Sequence, residues 1–168
     1  YQATLERIRQ QRVVLIPQDT TELDFTNHSP KGAGPLTSLT RLGFLDHTSL
    51  AITPERVPLG IIAVEILQRT EEGLGASKQR RHNPLETKET YRWLTGYRAA
   101  CQVGAAAAET QIVSLPDCEG DIYELFLEAE QHETPADYVI RAGKNRSLTD
   151  RDPEAGHNSY VKLRTTMA

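Results

Sequence analysis

The chain has 168 residues, 38% of them hydrophobic and 6% aromatic, enough to bury one core of ordinary size, so a single domain is the starting expectation. A formal net charge of -4 excludes a uniformly basic polyanion binder, and no apolar run approaches the roughly 18 residues that a membrane span needs. Cys101 and Cys118 fit neither a disulfide framework nor a metal knuckle, which points to a reducing compartment, the cytoplasm.

The opening "YQATLERIRQQ" is amphipathic and charged, with no signal-peptide core, and without an initiator methionine it reads as a helix within a longer protein. "RVVLI" at 12–16 is a β-branched run suited to a buried central strand. It runs into Pro17, Gln18 and Asp19, and "DTTE" at 19–22 has the form of a helix capping box. Residues 27–41 are polar and turn-rich, hence a loop. A second strand follows over 43–53, where Phe44, Asp46, Thr48, Leu50 and Ile52 share one phase. Pro54 turns the chain and "VPLGIIAVEILQR" returns as a third strand, so the two form a hairpin. Ile61 to Val64 are apolar in both phases, which predicts a strand covered on both faces by helices above and below the sheet.

"SKQRRH" at 77–82 is a basic connector carrying Lys78, Arg80 and Arg81. One long helix is predicted from about 86 to 109, with Leu94, Tyr97, Cys101, Gly104 and Ala108 at spacings of three and four, and Trp93 as a packing residue. "TQIVSL" is a fourth strand and Asp117 starts a helix with Ile122, Leu125, Phe126 and Ala129 on one face. "ADYVIRAG" then forms a fifth strand. Glu119 and Asp121 read as solvated first-turn acids. Residues 141–164 hold six Lys or Arg against three acids, and the last 20 residues are weakly patterned, with one strand among them. His28, His47, His82, His132 and His157 have no metal-ligand spacing.

Asp19 and Asp117, 98 residues apart, each follow a short apolar strand. If strands one and four lie side by side, the two carboxylates meet at one edge of the sheet, where their repulsion calls for a cation; a hard divalent ion suits oxygen ligands. In phosphoryl transfer such carboxylates hold the metals that activate the attacking oxygen and stabilise the leaving one. Singly, each aspartate is more often an ordinary cap.

Four stretches carry more than their parts. "QDTTELDFT", "GFLDHTSLAITPERVPLGI", "KQRRHNPLETKETYRWL" and "DCEGDIYELF" resemble, in order and spacing, the catalytic core of bacterial insertion-sequence transposases of the DDE type. They are most similar to the branch that includes transposon five and excises DNA through hairpin ends, and the resemblance covers most of residues 10–145. It implies an α/β, ribonuclease H-like mixed sheet with helices on both faces over residues 1–146, with 147–168 starting a β-rich insertion at which the chain is truncated. It implies that Asp19 and Asp117 are the first two acids of a catalytic triad that binds Mg²⁺ or Mn²⁺. The implied activity is cut-and-paste DNA transposition, in which activated water and then a DNA 3′ hydroxyl attack phosphodiesters at transposon ends. Double-stranded DNA is the implied partner, full-length members act as homodimers on paired ends, and no membrane is involved. Lys78, Arg80, Arg81, Lys88, Arg92, Arg141, Lys144 and Arg146 become phosphate contacts, which give affinity without sequence readout.

The family's third acid is a glutamate on a later helix, within a Tyr, Arg, Glu and Lys signature that no segment here matches, and Cys118 stands where some members have arginine. Strand cleavage by this chain alone is therefore expected to be absent or nearly so. Two other readings fit the same residues: a ribonuclease H-like metal nuclease whose last acid is Glu124 or Glu128, and a truncated remnant that binds DNA without catalysis.

Overall fold

The first strand does not stop at Pro17. In a computed structural model that describes residues 1–28, 30–38, 40–70, 84–151 and 160–162, β1 runs Val13–Asp24. Its register with β3 (Leu42–Ile52) passes from Leu15↔Ile52 to Gln18↔Ser49, and Pro17, with no N–H to donate, falls in that gap. From Gln18 onward every residue to Asp24 has a partner in β3, including Asp19↔Thr48 and Thr20↔His47. The capping-box form of "DTTE" is thus overruled by ladder pairing, to which the two β-branched threonines are well suited.

The remaining elements are α1 (Gln2–Ile8), β2 (Gly34–Pro35), β4 (Pro58–Leu67), α2 (Tyr91–Ala106), β5 (Gln111–Leu115), α3 (Tyr123–Gln131) and β6 (Asp137–Tyr138). They make an α/β unit with a mixed six-stranded sheet in the order β2-β3-β1-β5-β6, with β4 also paired to β3. The expected hairpin is the antiparallel β3–β4 pair, while β5 runs parallel to β1, and β6 to β5. The long helix begins later than the sequence predicts, because Leu85–Thr87 form a separate 3₁₀ turn. Beyond β6, β7 (Ser147–Arg151) and β8 (Tyr160–Lys162) pair as a second, two-stranded sheet, where one strand is expected from the sequence. No helix among the described residues is long and apolar enough to cross a membrane.

Burial separates the two faces of the sheet. On β1 the buried residues are Val14, Ile16 and Gln18; on β3 they are Gly43, Leu45, His47, Ser49 and Ala51. This is the phase opposite to the one that Phe44, Leu50 and Ile52 mark in the sequence. Trp93, Tyr97, Ala100 and Cys101 of α2 pack on this face, in one core cluster with Leu5 and Ile8 of α1 and Leu125 of α3. On the other face Leu15, Leu50, Ile52, Val113 and Leu115 are half-buried, and Ile61, Val64 and Ile66 of β4 are exposed. Cover on both faces, expected from the two-phase apolarity of β4, is therefore not found among the described residues. A strand apolar in both phases shows what it can bury, not what covers it.

Two glycines permit close approach. Gly60 adopts φ 137°, where the β3–β4 register shifts, and a Cβ there would overlap Thr4 Oγ1 of α1. Gly96 lets α2 lie directly on β1, since a Cβ at this position would overlap Gln18 Oε1 and crowd Ser49 Oγ. Gly96→Val is expected to cost about 2–3 kcal/mol through overpacking, read as a lower urea midpoint at unchanged m-value.

Candidate active site

The parallel β1–β5 pair runs from Val13↔Gln111 to Pro17↔Leu115. Asp19 and Asp117 each stand two residues past the last pairing, in adjacent strands about 4.8 Å apart, so both emerge at the same end of the sheet. Asp19 Oδ1 accepts the Thr20 N–H at 2.8 Å. Asp117 caps the 3₁₀ turn Cys118–Gly120, its Oδ1 accepting the Glu119 N–H at 2.7 Å. A neighbouring backbone N–H thus occupies one oxygen of each carboxylate, and the second oxygen of each has no hydrogen bond among the described residues.

Behind the two acids lies a polar layer that the sequence does not announce. Arg92, only 6% exposed, donates from Nε to Thr20 Oγ1 (2.9 Å), from Nη1 to the Glu89 carbonyl (2.7 Å) and from Nη2 to Glu119 Oε2 (2.7 Å). Thr20 Oγ1 lies 2.9 Å from His47 Nδ1. With two lone pairs and one proton, Thr20 Oγ1 accepts from Arg92 and shares one further hydrogen bond with the His47 ring, as donor or acceptor according to the tautomer of the imidazole. Burial pushes the His47 pKa down to about 4, with the Arg92 charge acting in the same direction; Asp19, Asp46 and Asp117 oppose both. All three carboxylates are thus near enough for their charge to reach one ring. The imidazole packs at 75° against Trp93, centroids 4.7 Å apart. Gln18 Nε2 donates to Ser114 Oγ at 2.8 Å and ties β1 to β5, while Gln18 Oε1, Ser49 Oγ, His47 Nε2 and Trp93 Nε1 are buried without a partner among the described residues. Only the odd placement of polar Gln18, His47 and Ser49 between apolar neighbours could have revealed this layer in the sequence.

The expected phosphate contacts fall into three groups. Lys78, Arg80 and Arg81 lie outside the described residues. Arg92 faces inward, as above, and Lys88 is half-buried just before α2. The segment 141–146 comes back to the site: Arg141 Nη2 donates to Cys118 Sγ at 3.3 Å, and Lys144 is exposed beside it. Asp121 anchors this segment. It is 3% exposed, not solvated as the first-turn reading has it, because its Oδ2 accepts the Gly143 and Lys144 N–H groups at 2.9 Å each and its Oδ1 binds Arg146. Burial raises the Asp121 pKa, but Arg146 and the two amides outweigh it and hold the carboxyl below its ordinary range. Glu128, a candidate last acid for a nuclease, is held by an Arg98 fork at 2.7 and 2.8 Å, whereas Glu124 sits half-buried in the first turn of α3.

Oxygen-only donors with unpaired lone pairs suit Mg²⁺ or Mn²⁺, ions commonly held by one or two carboxylates together with water and substrate phosphate. Asp19 and Asp117 fit that role. Among the described residues no group of three or more His, Cys, Asp or Glu side chains comes together to hold a metal ion. No protein-family model matches this sequence, and no curated protein matches it.

Two outcomes follow from these environments. The unfolded chain protonates His47 as pH falls through 6.5, whereas the folded chain resists until about 4, so this residue destabilises the fold progressively across that window, by about 3 kcal/mol at its lower end. In His47→Gln, chemical unfolding at stepped pH should lack this slope and retain only the loss below pH ~4.5 from carboxylates. Asp121→Ala leaves the Gly143 and Lys144 amides and the half-buried Arg146 without their carboxylate and should cost about 1–3 kcal/mol, with fast proteolysis at 141–146 as its local sign.

Proposed function

We propose that this chain is part of the catalytic core of a DDE-type DNA transposase, an enzyme that acts on phosphodiesters at transposon ends, with a ribonuclease H-like fold and a two-aspartate site for Mg²⁺ or Mn²⁺ that is incomplete for strand cleavage without the family's third acid. One observation carries the reading: parallel pairing of β1 with β5 brings Asp19 and Asp117 to one end of the sheet, each with one carboxylate oxygen that has no hydrogen bond among the described residues. The central position of β1, between an antiparallel hairpin and two parallel strands, supports the ribonuclease H-like reading. So do the four sequence stretches, which contribute β1, the β3–β4 hairpin, the start of α2 and the start of α3.

Within this reading the bound ion supplies charge neutralisation at the scissile phosphate and lowers the pKa of an attacking water. The chain's own part is to orient its ligands. Thr20 and Glu119 amides fix the rotamers of Asp19 and Asp117, and the buried sheet face behind them excludes water. Arg141, whose guanidinium donates to Cys118 Sγ next to Asp117, and the exposed Lys144 are read as contacts to a DNA phosphate, and the family resemblance adds Lys78, Arg80, Arg81 and Lys88 as further phosphate contacts.

Calorimetric titration of the chain with Mn²⁺ tests the core of this proposal. Binding is expected, with a loss of at least tenfold in Asp19→Asn and in Asp117→Asn, both of which should still unfold cooperatively. Absence of binding, or affinity indifferent to both substitutions, sinks the metal reading.

A further inference from the structure

We propose that Arg92 is the positioning residue of this site, a clamp that sets the separation of Asp19 and Asp117; its link to metal binding rests on the reading of those aspartates as ligands. The geometry is specific. Nε of Arg92 grips the hydroxyl of Thr20, and the Thr20 amide is the group that orients Asp19 Oδ1. Nη2 grips the carboxylate of Glu119, and the Glu119 amide is the group that orients Asp117 Oδ1. One guanidinium therefore holds, at 2.9 and 2.7 Å, the two residues whose backbones aim the two acids. Among the described residues no hydrogen bond joins Thr20 to Glu119 directly.

The beginning of α2 fixes the clamp itself. Nη1 is tied to the Glu89 carbonyl at 2.7 Å, and the neighbouring Trp93 is fully buried against His47. A helix bound to the sheet through Gly96 thus projects a planar fork across the gap between β1 and the turn after β5. Lysine keeps the charge but lacks the fork, so it cannot hold both residues at once. Because Arg92 is buried and all three of its nitrogens are engaged inside the protein, it acts through Thr20 and Glu119 rather than by touching DNA.

Two arms, both on the full chain, test the clamp. In the metal-free arm, urea unfolding of Thr20→Val, Glu119→Gln and the double variant measures their coupling. The double variant's unfolding constant should depart by about threefold or more from the product of the single effects, and the departure should vanish when the cycle is repeated on Arg92→Lys. Additive effects in the Arg92 background overturn the clamp.

In the second arm Mn²⁺ affinity is measured for Arg92→Gln and Arg92→Lys, each first shown to unfold cooperatively, with Arg92→Lys deciding if Arg92→Gln does not fold. A cation that acts on the site by charge alone repels Mn²⁺, so its removal in Arg92→Gln would tighten binding. Positioning predicts the opposite sign, a loss of about tenfold, and a loss in Arg92→Lys as well. Tighter binding in Arg92→Gln, or unchanged binding in Arg92→Lys, overturns the proposal. If Asp19→Asn and Asp117→Asn leave Mn²⁺ affinity untouched while the metal-free coupling persists, the metal reading fails and the clamp between the strands stands.

Discussion

The parallel pairing of β1 with β5 is the contact on which the rest depends. It joins residues almost 100 positions apart, so it forms only if the intervening hairpin and α2 bring the chain back in the right hand and length. Gln18 reinforces it from the buried face by its bond to Ser114, and α2 lies close over that bond because position 96 carries no side chain. Asp19 and Asp117 inherit their proximity from this pairing. Local amides orient each carboxylate, but only this pairing brings the two to one end of the sheet.

The layer between α2 and the sheet is costly in a way that most cores avoid. Buried polar atoms are normally paired, and each one left alone loses roughly 1–3 kcal/mol of solvation. Here Gln18 Oε1, His47 Nε2, Ser49 Oγ and Trp93 Nε1 lack partners among the described residues where α2 meets the sheet. The apolar part of the core, built on Val14, Ile16, Trp93, Tyr97 and Ala100, lies alongside and offsets that cost. Natural sequences tolerate such conflicts mainly where a site must be held in place, and this one lies directly behind the two aspartates.

What could be read in advance divides along physical lines. The β3–β4 hairpin, β5 and the existence of α3 are legible because each has a strong local pattern: alternation with a proline turn, a short apolar run, or an apolar face at helical spacing; the start of α3 is not, since Asp117 caps a separate 3₁₀ turn and the helix begins at Tyr123. The length of β1 is not legible, since "DTTE" satisfies a local capping rule and only pairing with β3, distant in sequence, overrides it. The buried phase of β3 is missed for a related reason. Its apolar residues Phe44, Leu50 and Ile52 point away from the helices, and the face that is buried carries Gly43, His47 and Ser49. Asp121 is misread because its partners, Arg146 and the Gly143 and Lys144 amides, come from a segment over 20 residues later. The two aspartates were identifiable by their shared position after apolar strands; the residues that hold them were not, because Arg92 and Thr20 look like surface polar residues in one dimension.

The sheet's two faces share the work at the site unequally. Asp19 continues the phase of Leu15 and Pro17, on the face away from α2, as Asp46 and Thr48 do on β3. Arg92 and His47 back these acids from the opposite, buried side. A bare cation in that position would ease the repulsion between the carboxylates, yet it would equally oppose a metal ion brought to them. Arg92 meets neither extreme, because Glu119 binds it at 2.7 Å and the Glu89 carboxylate stands 4.0 Å away. His47, kept neutral by burial, adds no charge either. The backing layer is therefore close to neutral overall and held by several hydrogen bonds, and that combination lets two acids sit at one strand end as the proposed ion site would require.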